Sequence, residues 1–345
     1  MAVDGVRVDL AHVIERLADG EDLTPVEAEL TFDRFMDGSA PEAQMAAVLM
    51  GLRAKGLRPG EVVGGVRALR KAMVPVRTPR PEGIVDTAGT GGGAVTTFNI
   101  STAAALVAAG AGVRIAKHGN RSFTSRSGSA DVLEALGVRI DLTPGRMAEV
   151  LERAGIVFMF APLLHPAMRH VAAVRRALGI TTVMNILGPL TNPAGARRQV
   201  VGVADPGLLD LVVQALAELG HHRAIVAHGE PGIDEISPMG TTRIAELTDG
   251  CVHSWVLDPR ELGLAPVEAE GLRGGEPAEN AEVILAVLAG KPSAARTATL
   301  LNAAAAVYVA GRCGSFAEGI GVAEESIDSG SALEALERLR SATRG

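Results

Sequence analysis

The chain has 345 residues, of which 47% are hydrophobic and 21% are charged, and its formal net charge is -7. This length and composition predict a globular protein of two domains or one large one, with enough apolar residues for a sizeable core. An acidic chain with 3% aromatic residues lacks the basic coat and the stacking side chains of a nucleic-acid-binding protein, so we expect no nucleic-acid partner.

The residues up to about Met73 predict helices only. Two stretches, 24–27 and 39–42, have the capping-box pattern, in which a hydroxyl caps the start of a helix and a glutamate three residues later reaches back. A further helix is expected from about Pro59 to Met73. In the first helix, four apolar residues share one face because they follow the i, i+3, i+4, i+7 spacing: Leu10, Val13, Ile14 and Leu17.

The pattern changes after a proline-rich stretch, 74–83, which predicts an extended linker. Short apolar runs then alternate with helical stretches, and this alternation predicts an α/β domain with a largely parallel sheet. Ligands of such sheets collect at the carboxyl ends of the strands. Five runs are strand candidates: Ile84–Asp86, Val113–Ala116, Ile156–Phe160, Gln199–Val203 and Ala224–Ala227.

The cysteines and the apolar runs bear on the cellular location. Cys251 and Cys313 lie far apart and in no spacing typical of a metal or redox site. The longest apolar run, near 100–113, is too short and too rich in glycine to span a bilayer, and charges occur throughout the N-terminal twenty or so residues. We therefore expect a cytoplasmic protein that does not associate with membranes.

A glycine-rich loop follows the first strand candidate. Gly89, Gly91, Gly92 and Gly93 are expected to adopt positive φ and to bring backbone N–H groups close to an anion. The next helix then starts with polar side chains, where its dipole also favours a phosphate. A tight turn between a strand and a helix is the alternative. The glycine spacing is neither that of a dinucleotide-binding loop nor that of a Walker loop.

A second loop, 117–129, follows the second strand candidate. Its sequence, KHGNRSFTSRSGS, sets four basic residues among hydroxyls and glycines in a chain that is acidic overall. A pocket for a multiply phosphorylated small molecule requires such a cluster. A solvated basic loop is the alternative, although two such loops after successive strands favour the phosphate site.

Two further signals are weaker by themselves. The adjacent carboxylates Asp234 and Glu235 follow a strand and a glycine-containing turn, and Mg²⁺ binds one or two such groups while keeping several waters. Paired acids in a loop can equally be solvated. Arg175 and Arg176 lie on an expected helix, where a guanidinium can hold a carboxylate through two hydrogen bonds or simply be exposed.

Seven motifs occur in one order and spacing: GTGG, NIST, KHGNR, SGSADVLEALGV, HPAMRHVAAVRRALG, NILGPLTNPA and HGEPGIDEIS. Together they resemble the anthranilate phosphoribosyltransferase family over nearly the whole chain, to about Arg340. The resemblance implies a small helical domain, 1–74, with a returning segment near 165–185. It also implies a larger α/β domain, 83–345, of the nucleoside phosphorylase and phosphoribosyltransferase type, and a homodimer.

The implied reaction is the second step of tryptophan biosynthesis from chorismate. It transfers the 5-phosphoribosyl group from 5-phosphoribosyl 1-diphosphate to the amino group of anthranilate and releases diphosphate. The resemblance implies no covalent nucleophile. Displacement at the sugar C1 develops positive charge on the sugar and negative charge on the leaving group, so positioning and charge stabilisation are expected to supply the rate.

The resemblance also implies which residues bind the substrates. Anthranilate is expected against Gly89, Asn120 and Arg175. Mg²⁺, with two ions per monomer, is expected at Ser101, Asp234 and Glu235. The phosphorylated sugar is expected at two groups of residues: Gly89, Gly92, Gly93, Thr97, Asn99, Ile100, Ser101 and Thr102, and then Lys117, His118, Gly119, Asn120, Arg121, Ser122, Phe123, Thr124, Ser125 and Ser129.

One position departs from the pattern of the family. Its glycine loop commonly reads GTGGD, and Gly93 stands here in place of the aspartate, which affects how a second metal ion and the diphosphate would be held. A pyrimidine nucleoside phosphorylase would share the architecture, but KHGNR and NILGPLTNP favour the transferase. A non-catalytic nucleic-acid-binding relative is expected to have a basic face, whereas the pI here is about 5.7.

Overall fold

The computed structural model describes residues 8–122 and 126–344, so the expectations for Phe123, Thr124 and Ser125 lie outside the described residues. Four helices come first along the chain: α1 Leu10–Ala18, α2 Pro25–Met36, α3 Glu42–Lys55 and α4 Pro59–Ala72. In α1 the expected apolar face is confirmed, since Leu10, Val13 and Leu17 are buried and Ile14 is partly buried. The stretch 74–81 has no regular secondary structure, as expected of a linker.

One of the two expected capping boxes is confirmed. The Thr24 hydroxyl accepts the Glu27 N–H at 3.3 Å, and the Glu27 carboxylate accepts the Thr24 N–H at 2.8 Å. The second is wrong, because α3 begins at Glu42 and its cap residue is Pro41. Ser39 instead closes the turn after α2, where its N–H donates to Asp37 at 2.8 Å.

The α/β part is built on a seven-stranded sheet: β1 Ile84–Gly89, β2 Arg114–Gly119, β3 Ile156–Phe160, β4 Arg198–Gly202, β5 Arg223–Gly229, β6 Thr242–Thr248 and β7 Cys251–Leu257. The strand order is β3-β2-β1-β4-β5-β6-β7. The first five strands are parallel to one another, which confirms the five strand candidates and the largely parallel sheet. The order reverses between β1 and β4, and such a switch point opens a crevice at the carboxyl ends of the strands.

The antiparallel strands β6 and β7 were not predicted, although a local signal is present. Asp249 and Gly250 join the two strands, and both have positive φ, 48° and 86°. An Asp-Gly pair between two β-type runs is a strong hairpin signal. The apolar-run criterion missed these strands because β7 is largely exposed and β6 carries polar residues.

Helices cover both faces of the sheet. Alternate residues of the central strands face opposite layers: Val200 and Ile225 belong to the cluster with α5 and α13, whereas Val201 and Val226 pack with α11 and the N-terminal helices. The helices after α4 are α5 Ile100–Gly110, α6 Ser129–Ala135, α7 Pro144–Ala154, α8 Ala161–Leu164, α9 Arg169–Leu178, α10 Val183–Leu187, α11 Leu208–Glu218, α12 Pro277–Leu288, α13 Ala294–Val309, α14 Phe316–Asp328 and α15 Ser331–Arg344.

Helices α9 and α10 return to the N-terminal helices. Their apolar residues Val171, Val174 and Leu187 are buried in the same cluster as α2, α3 and α4. This cluster continues without interruption onto one face of the sheet through α11. Within the described ranges, 8–122 and 126–344, no helix is long and apolar enough to cross a membrane.

Candidate active site

Three loops meet at the carboxyl ends of the parallel strands. The glycine loop follows β1, the basic loop follows β2, and the acidic loop follows β5. The Gly91 N–H donates to the Asp234 carboxylate at 2.7 Å, so the glycine and acidic loops are in direct contact. Residues from three separated parts of the sequence therefore line one crevice at the β1/β4 switch point.

Two of the four glycines in the first loop have the expected backbone conformation. Gly91 and Gly92 have φ of 71° and 84°, whereas Gly89 and Gly93 are not in the positive-φ region, so the expectation for these two is wrong. Gly89 is required for another reason, since a Cβ there would lie 2.5 Å from the Asp234 carboxylate. Gly93 packs on the acidic loop, where a Cβ would lie 3.1 Å from the Gly232 carbonyl.

The start of α5 adjoins the acidic loop. The Ser101 N–H donates to Glu235 Oε1 at 3.2 Å. Asn99, the N-cap residue, donates to the Ser127 carbonyl at 3.1 Å and accepts from Asn280 at 2.9 Å, so protein groups already hold its amide. Three neighbours complete this segment: Thr97 bridges to Arg273, and Ile100 and Thr102 are buried.

Lys117 lies beneath the loops. Its side chain is 4% exposed, and its ammonium group donates to the Thr87 carbonyl at 2.5 Å, the Thr87 hydroxyl at 3.3 Å and the Ser101 hydroxyl at 3.1 Å. Burial lowers the pKa of Lys117. The positive charge of Lys117 therefore lies directly against the Ser101 hydroxyl. Each of its three N–H bonds has a protein acceptor.

His118 forms a buried pair with His165. Their ring centroids are 4.9 Å apart, and the Nε2 atom of each is buried with no hydrogen-bond partner among the described residues. Burial lowers the pKa of His118 to about 3 and that of His165 to about 4. Both imidazoles are therefore neutral, and each keeps a buried nitrogen that the described residues do not satisfy.

The rest of the basic loop is held by α6. Arg121, which is expected at the phosphorylated sugar, is exposed and pairs with Asp131 at 2.7 Å and Glu134 at 2.5 Å. The Asn120 carbonyl accepts from the Ser129 hydroxyl at 3.3 Å. A Cβ on Gly119 would lie 2.3 Å from that hydroxyl. The Ser122 N–H donates to Asp131 at 3.3 Å, so a carboxylate of α6 holds this part of the loop.

Asp234 and Glu235 are half-buried, which excludes an ordinary solvated turn. Burial raises the pKa of both, and the charge of Asp234 further raises that of Glu235, to about 8. The charge of Lys117 acts in the opposite direction on Glu235. Two adjacent carboxylates in this environment are stabilised by a cation.

The donors at this point suit Mg²⁺. Residues 8–122 and 126–344 contain no group of three or more His, Cys, Asp or Glu side chains able to hold a metal ion. The Asp234 and Glu235 carboxylates and the Ser101 hydroxyl would supply the protein ligands of a metal ion, and water and substrate oxygens would supply the others. Mg²⁺ prefers this mixture of few protein oxygens and several others.

Arg175 lies on α9, the helix that returns to the N-terminal bundle. It is half-buried, burial lowers its pKa, and it forms no ion pair with the described residues. Its neighbour Arg176 is exposed. A partly desolvated guanidinium without a carboxylate partner is a candidate to bind one from a ligand.

Sequence reasoning missed two residues that shape the site. Asp86 is fully buried in β1 and accepts the His118 N–H at 3.0 Å, and burial raises its pKa to about 6. Gly202 ends β4, where a Cβ would lie 1.6 Å from the Asp234 carbonyl. The sequence shows Asp86 only as one acid in an apolar run, and Gly202 only as a glycine at the end of a strand. Neither pattern indicates which residue of another element lies beside it.

Two family models match the chain. A model described as the glycosyl transferase family, a/b domain, matches residues 81–333, and one described as its helical bundle domain matches residues 11–73. The chain is 48% identical to an anthranilate phosphoribosyltransferase of Methanosarcina acetivorans, over 97% of this chain and 90% of that protein. It is 50% identical to that of Rubrobacter xylanophilus, over 96% of each.

Solved structures show the same similarity. The anthranilate phosphoribosyltransferase of Thermus thermophilus superimposes with a TM-score of 0.91 at 43% identity, covering 96% of this chain and 99% of that one. The Saccharomyces cerevisiae enzyme in complex with PRPP and Mg has a TM-score of 0.88 at 28% identity, covering 97% and 98%. The same yeast enzyme with 4-fluoroanthranilate has a TM-score of 0.86 at 27% identity, covering 97% and 98%.

Proposed function

The chain belongs to the anthranilate phosphoribosyltransferase family, and we propose that it transfers the 5-phosphoribosyl group from 5-phosphoribosyl 1-diphosphate to the amino group of anthranilate. The products are N-(5-phosphoribosyl)anthranilate and diphosphate, and the reaction is the second step of tryptophan biosynthesis from chorismate. The observation that carries the proposal is the contact of the glycine loop and the start of α5 with the acidic loop, through Asp234 and Glu235.

The reaction forms one bond and breaks one bond at the sugar C1. The amino nitrogen of anthranilate supplies the electron pair of the new C–N bond, the C–O bond to diphosphate breaks, and its electron pair leaves with the diphosphate. The amine then loses one proton, which passes to water or to the released diphosphate. No group of the protein needs to become covalently attached, so the site acts by orientation and by stabilising the departing charge.

The glycine loop and the start of α5 would bind the phosphates of the donor. Exposed Gly91 and Gly92 bring the backbone to the surface at positive φ, and the dipole at the N-terminus of α5 favours negative charge. Lys117 would add positive charge through Ser101 rather than by direct contact. Asp234 and Glu235, with Ser101, would hold Mg²⁺, which when bound neutralises charge on the diphosphate.

Anthranilate would be bound between the basic loop and α9. Arg175 would hold its carboxylate, because that guanidinium is half-buried and has no ion pair with the described residues. Asn120 and Gly89 are the other expected contacts. Two ions per monomer remain our proposal for the metal, with Gly93 in place of the aspartate of the family as the feature that bears on the second ion.

A fluorescence assay tests the function directly. Anthranilate should disappear only when the protein, 5-phosphoribosyl 1-diphosphate and Mg²⁺ are all present. A well-folded protein that leaves anthranilate unchanged would refute the proposal. Phosphorolysis of thymidine or uridine without anthranilate consumption would indicate a nucleoside phosphorylase instead.

Removing a site carboxylate should abolish most of this activity. Asp234→Asn and Glu235→Gln should each lower turnover at least about 100-fold, since the metal is worth several kcal/mol of charge stabilisation. Glu334→Gln, which removes an exposed carboxylate on α15, is the matched control and should retain full activity. Unchanged turnover of the two site variants at limiting Mg²⁺ would show that these acids do not position the metal.

We further propose a cytoplasmic homodimer with a helical unit of residues 1–74, joined by the segment near 165–185, and an α/β unit of residues 83–345. The homodimer is what the resemblance to the family implies. The free cysteines Cys251 and Cys313 support a reducing compartment. Sedimentation equilibrium at micromolar concentration tests the dimer, and a monomer mass would refute it.

A further inference from the structure

A buried asparagine on α13 holds the acidic loop from behind. Asn302 is 3% exposed, and its Oδ1 accepts the Ile236 N–H at 2.9 Å. Its Nδ2 donates to the Ile236 carbonyl at 2.9 Å and to the Ala298 carbonyl at 2.9 Å. One side chain thus binds both backbone groups of the residue that directly follows Glu235.

The other end of the acidic pair is fixed by the backbone. Ile233, which directly precedes Asp234, exchanges two hydrogen bonds with Gly229 at the end of β5: its N–H donates at 2.8 Å and its carbonyl accepts at 3.0 Å. Asp234 and Glu235 therefore lie between two anchors. One anchor belongs to the sheet, and the other is the Asn302 side chain.

The contacts of Asn302 differ from those of an ordinary buried polar residue of a helix. Thr299, also fully buried on α13, donates only to the Ala295 carbonyl of its own helix, at 2.8 Å. Of the hydrogen bonds that Asn302 makes within the described part of the chain, two join it to a loop 66 residues earlier. It also lines a small cavity together with Ser101 and Glu235.

We propose that Asn302 is a positioning residue, which sets the geometry of Asp234 and Glu235 for the metal-bound donor substrate. The proposal rests on the proposed function. It assigns to α13 a role in binding metal and diphosphate, although Asn302 itself need not touch either. Residues that orient the ligands of a metal commonly change its affinity or the activity by about 10- to 100-fold when they are replaced.

The test is Asn302→Ala, with binding and turnover measured separately. Calorimetric titration of 5-phosphoribosyl 1-diphosphate at several fixed Mg²⁺ concentrations gives donor affinity without catalysis. Donor affinity should increase with Mg²⁺ to a maximum. We expect the Mg²⁺ concentration at which it reaches half of that maximum to rise about 10-fold or more in the variant. In the fluorescence assay kcat should fall, while the KM for anthranilate should stay within about twofold, because Arg175 lies on another element.

Thr299→Val is the matched control, since it removes a buried hydrogen bond of the same helix without affecting the acidic loop. It should lower the unfolding temperature but leave the Mg²⁺ dependence as in the wild type. If Asn302→Ala does not fold, Asn302→Ser replaces it, because a hydroxyl and the space around it leave a polar site that water can enter. Either variant with wild-type Mg²⁺ dependence would overturn the proposal.

The two measurements distinguish a failure of the positioning role of Asn302 from a failure of the proposed function. A wild-type protein that does not consume anthranilate contradicts the function, whereas the calorimetric comparison of the two proteins still tests Asn302. A wild type that turns over, together with an Asn302→Ala variant that matches it in both measurements, contradicts the positioning role alone.

Discussion

Gly89 and Gly202 are register partners at the ends of β1 and β4, and neither has room for a side chain. The Asp234 carboxylate would meet a Cβ of Gly89, and the Asp234 backbone would meet one of Gly202. The missing side chains let the acidic loop lie directly across the strand ends, where Asp234 accepts the Gly91 N–H. At the scale of single residues, the site therefore depends on close approach as much as on charge.

Gly93→Asp should change how the enzyme uses Mg²⁺. A Cβ at this position lies 3.5 Å from Asp234 Oδ1, so the new carboxylate adds negative charge beside the acidic pair and increases the need for a cation. We expect weaker donor binding at low Mg²⁺, recovery at high Mg²⁺, and little change in the KM for anthranilate. Mg²⁺ titrations at fixed donor concentration measure this effect.

Gly93→Asn separates charge from size in that experiment, because it adds the same volume without the charge. Gly93 is not at positive φ, so backbone strain does not enter either comparison. Superimposable Mg²⁺ curves for Gly93→Asp and Gly93→Asn would mean that the added carboxylate lies outside the reach of the metal.

Arg175→Ala should weaken anthranilate binding selectively. A charge-assisted hydrogen bond contributes about 1.5 to 3 kcal/mol, and the KM for anthranilate should rise accordingly, with a smaller change for the donor. The exposed neighbour Arg176, replaced by alanine, should leave both KM values unchanged. Equal losses for both substrates would instead assign Arg175 a structural role at the junction of α9 with the helical bundle.

At the scale of elements, the helical bundle depends on a close helix pair. Gly64 on α4 faces α2, and a Cβ there would lie 2.4 Å from the Pro25 carbonyl and 2.6 Å from the Ala28 Cβ. The two helices can approach this closely because no side chain separates them. The pair also supports the site, because α9, which carries Arg175, packs on α2.

Gly64→Ala should destabilise the protein even though alanine is the better helix former. Overpacking costs about 1 to 3 kcal/mol and exceeds the gain in helix propensity of about 1 kcal/mol. Gly321→Ala on α14, where a Cβ would meet nothing within 4 Å, should stabilise it by about 0.5 to 1 kcal/mol. Urea unfolding of both variants measures the change in the free energy of unfolding, which should be opposite in sign for the two. A stabilised Gly64→Ala variant would contradict the close packing.

At the scale of the whole molecule, one hydrophobic layer joins the helical bundle to the sheet through α11, and His221 follows the turn after that helix. His221 is buried, and its Nδ1–H donates to the Leu216 carbonyl at 3.1 Å. Burial, together with the nearby charges of Arg70 and Arg197, lowers its pKa to about 3. A buried neutral imidazole links the stability of the folded molecule to pH.

The direction in which stability changes with pH follows from the pKa of His221 in the folded and in the unfolded state. In the unfolded chain a histidine has a pKa of about 6.5, so between about pH 6.5 and pH 3 the unfolded state binds a proton that the folded state does not. The contribution of His221 to the free energy of unfolding is therefore fully present above pH 6.5 and is lost as the pH falls. Between pH 7 and pH 5 this amounts to about 2 kcal/mol.

His221→Gln should reduce that acid sensitivity. The free energy of unfolding, measured with urea at pH 7 and at pH 5, should fall by about 2 kcal/mol less in the variant than in the wild type. His222→Gln, at the exposed neighbouring position, should behave as the wild type does. An identical loss of stability in all three proteins would show that His221 is protonated in the folded state.

The elements that local pattern specifies were predictable from the sequence. The Thr24 capping box, the amphipathic face of α1 and the five parallel strands each depend on residues that are close in the chain, and the structure has them. The glycine, basic and acidic loops were identified as candidates for the same reason. Their functional roles were implied by the resemblance to a family, whose match is now shown over nearly the whole chain.

Only the tertiary structure decided how these loops meet and which of their groups are free. Arg121 has the charge expected of a phosphate ligand, yet it pairs with Asp131 and Glu134, which lie on a helix that the loop itself leads into. Asp86, Gly202 and Asn302 matter through contacts across strands or between elements distant in the chain. Residue type and spacing carry no information about such contacts, because they arise only when the sheet brings the strand ends together.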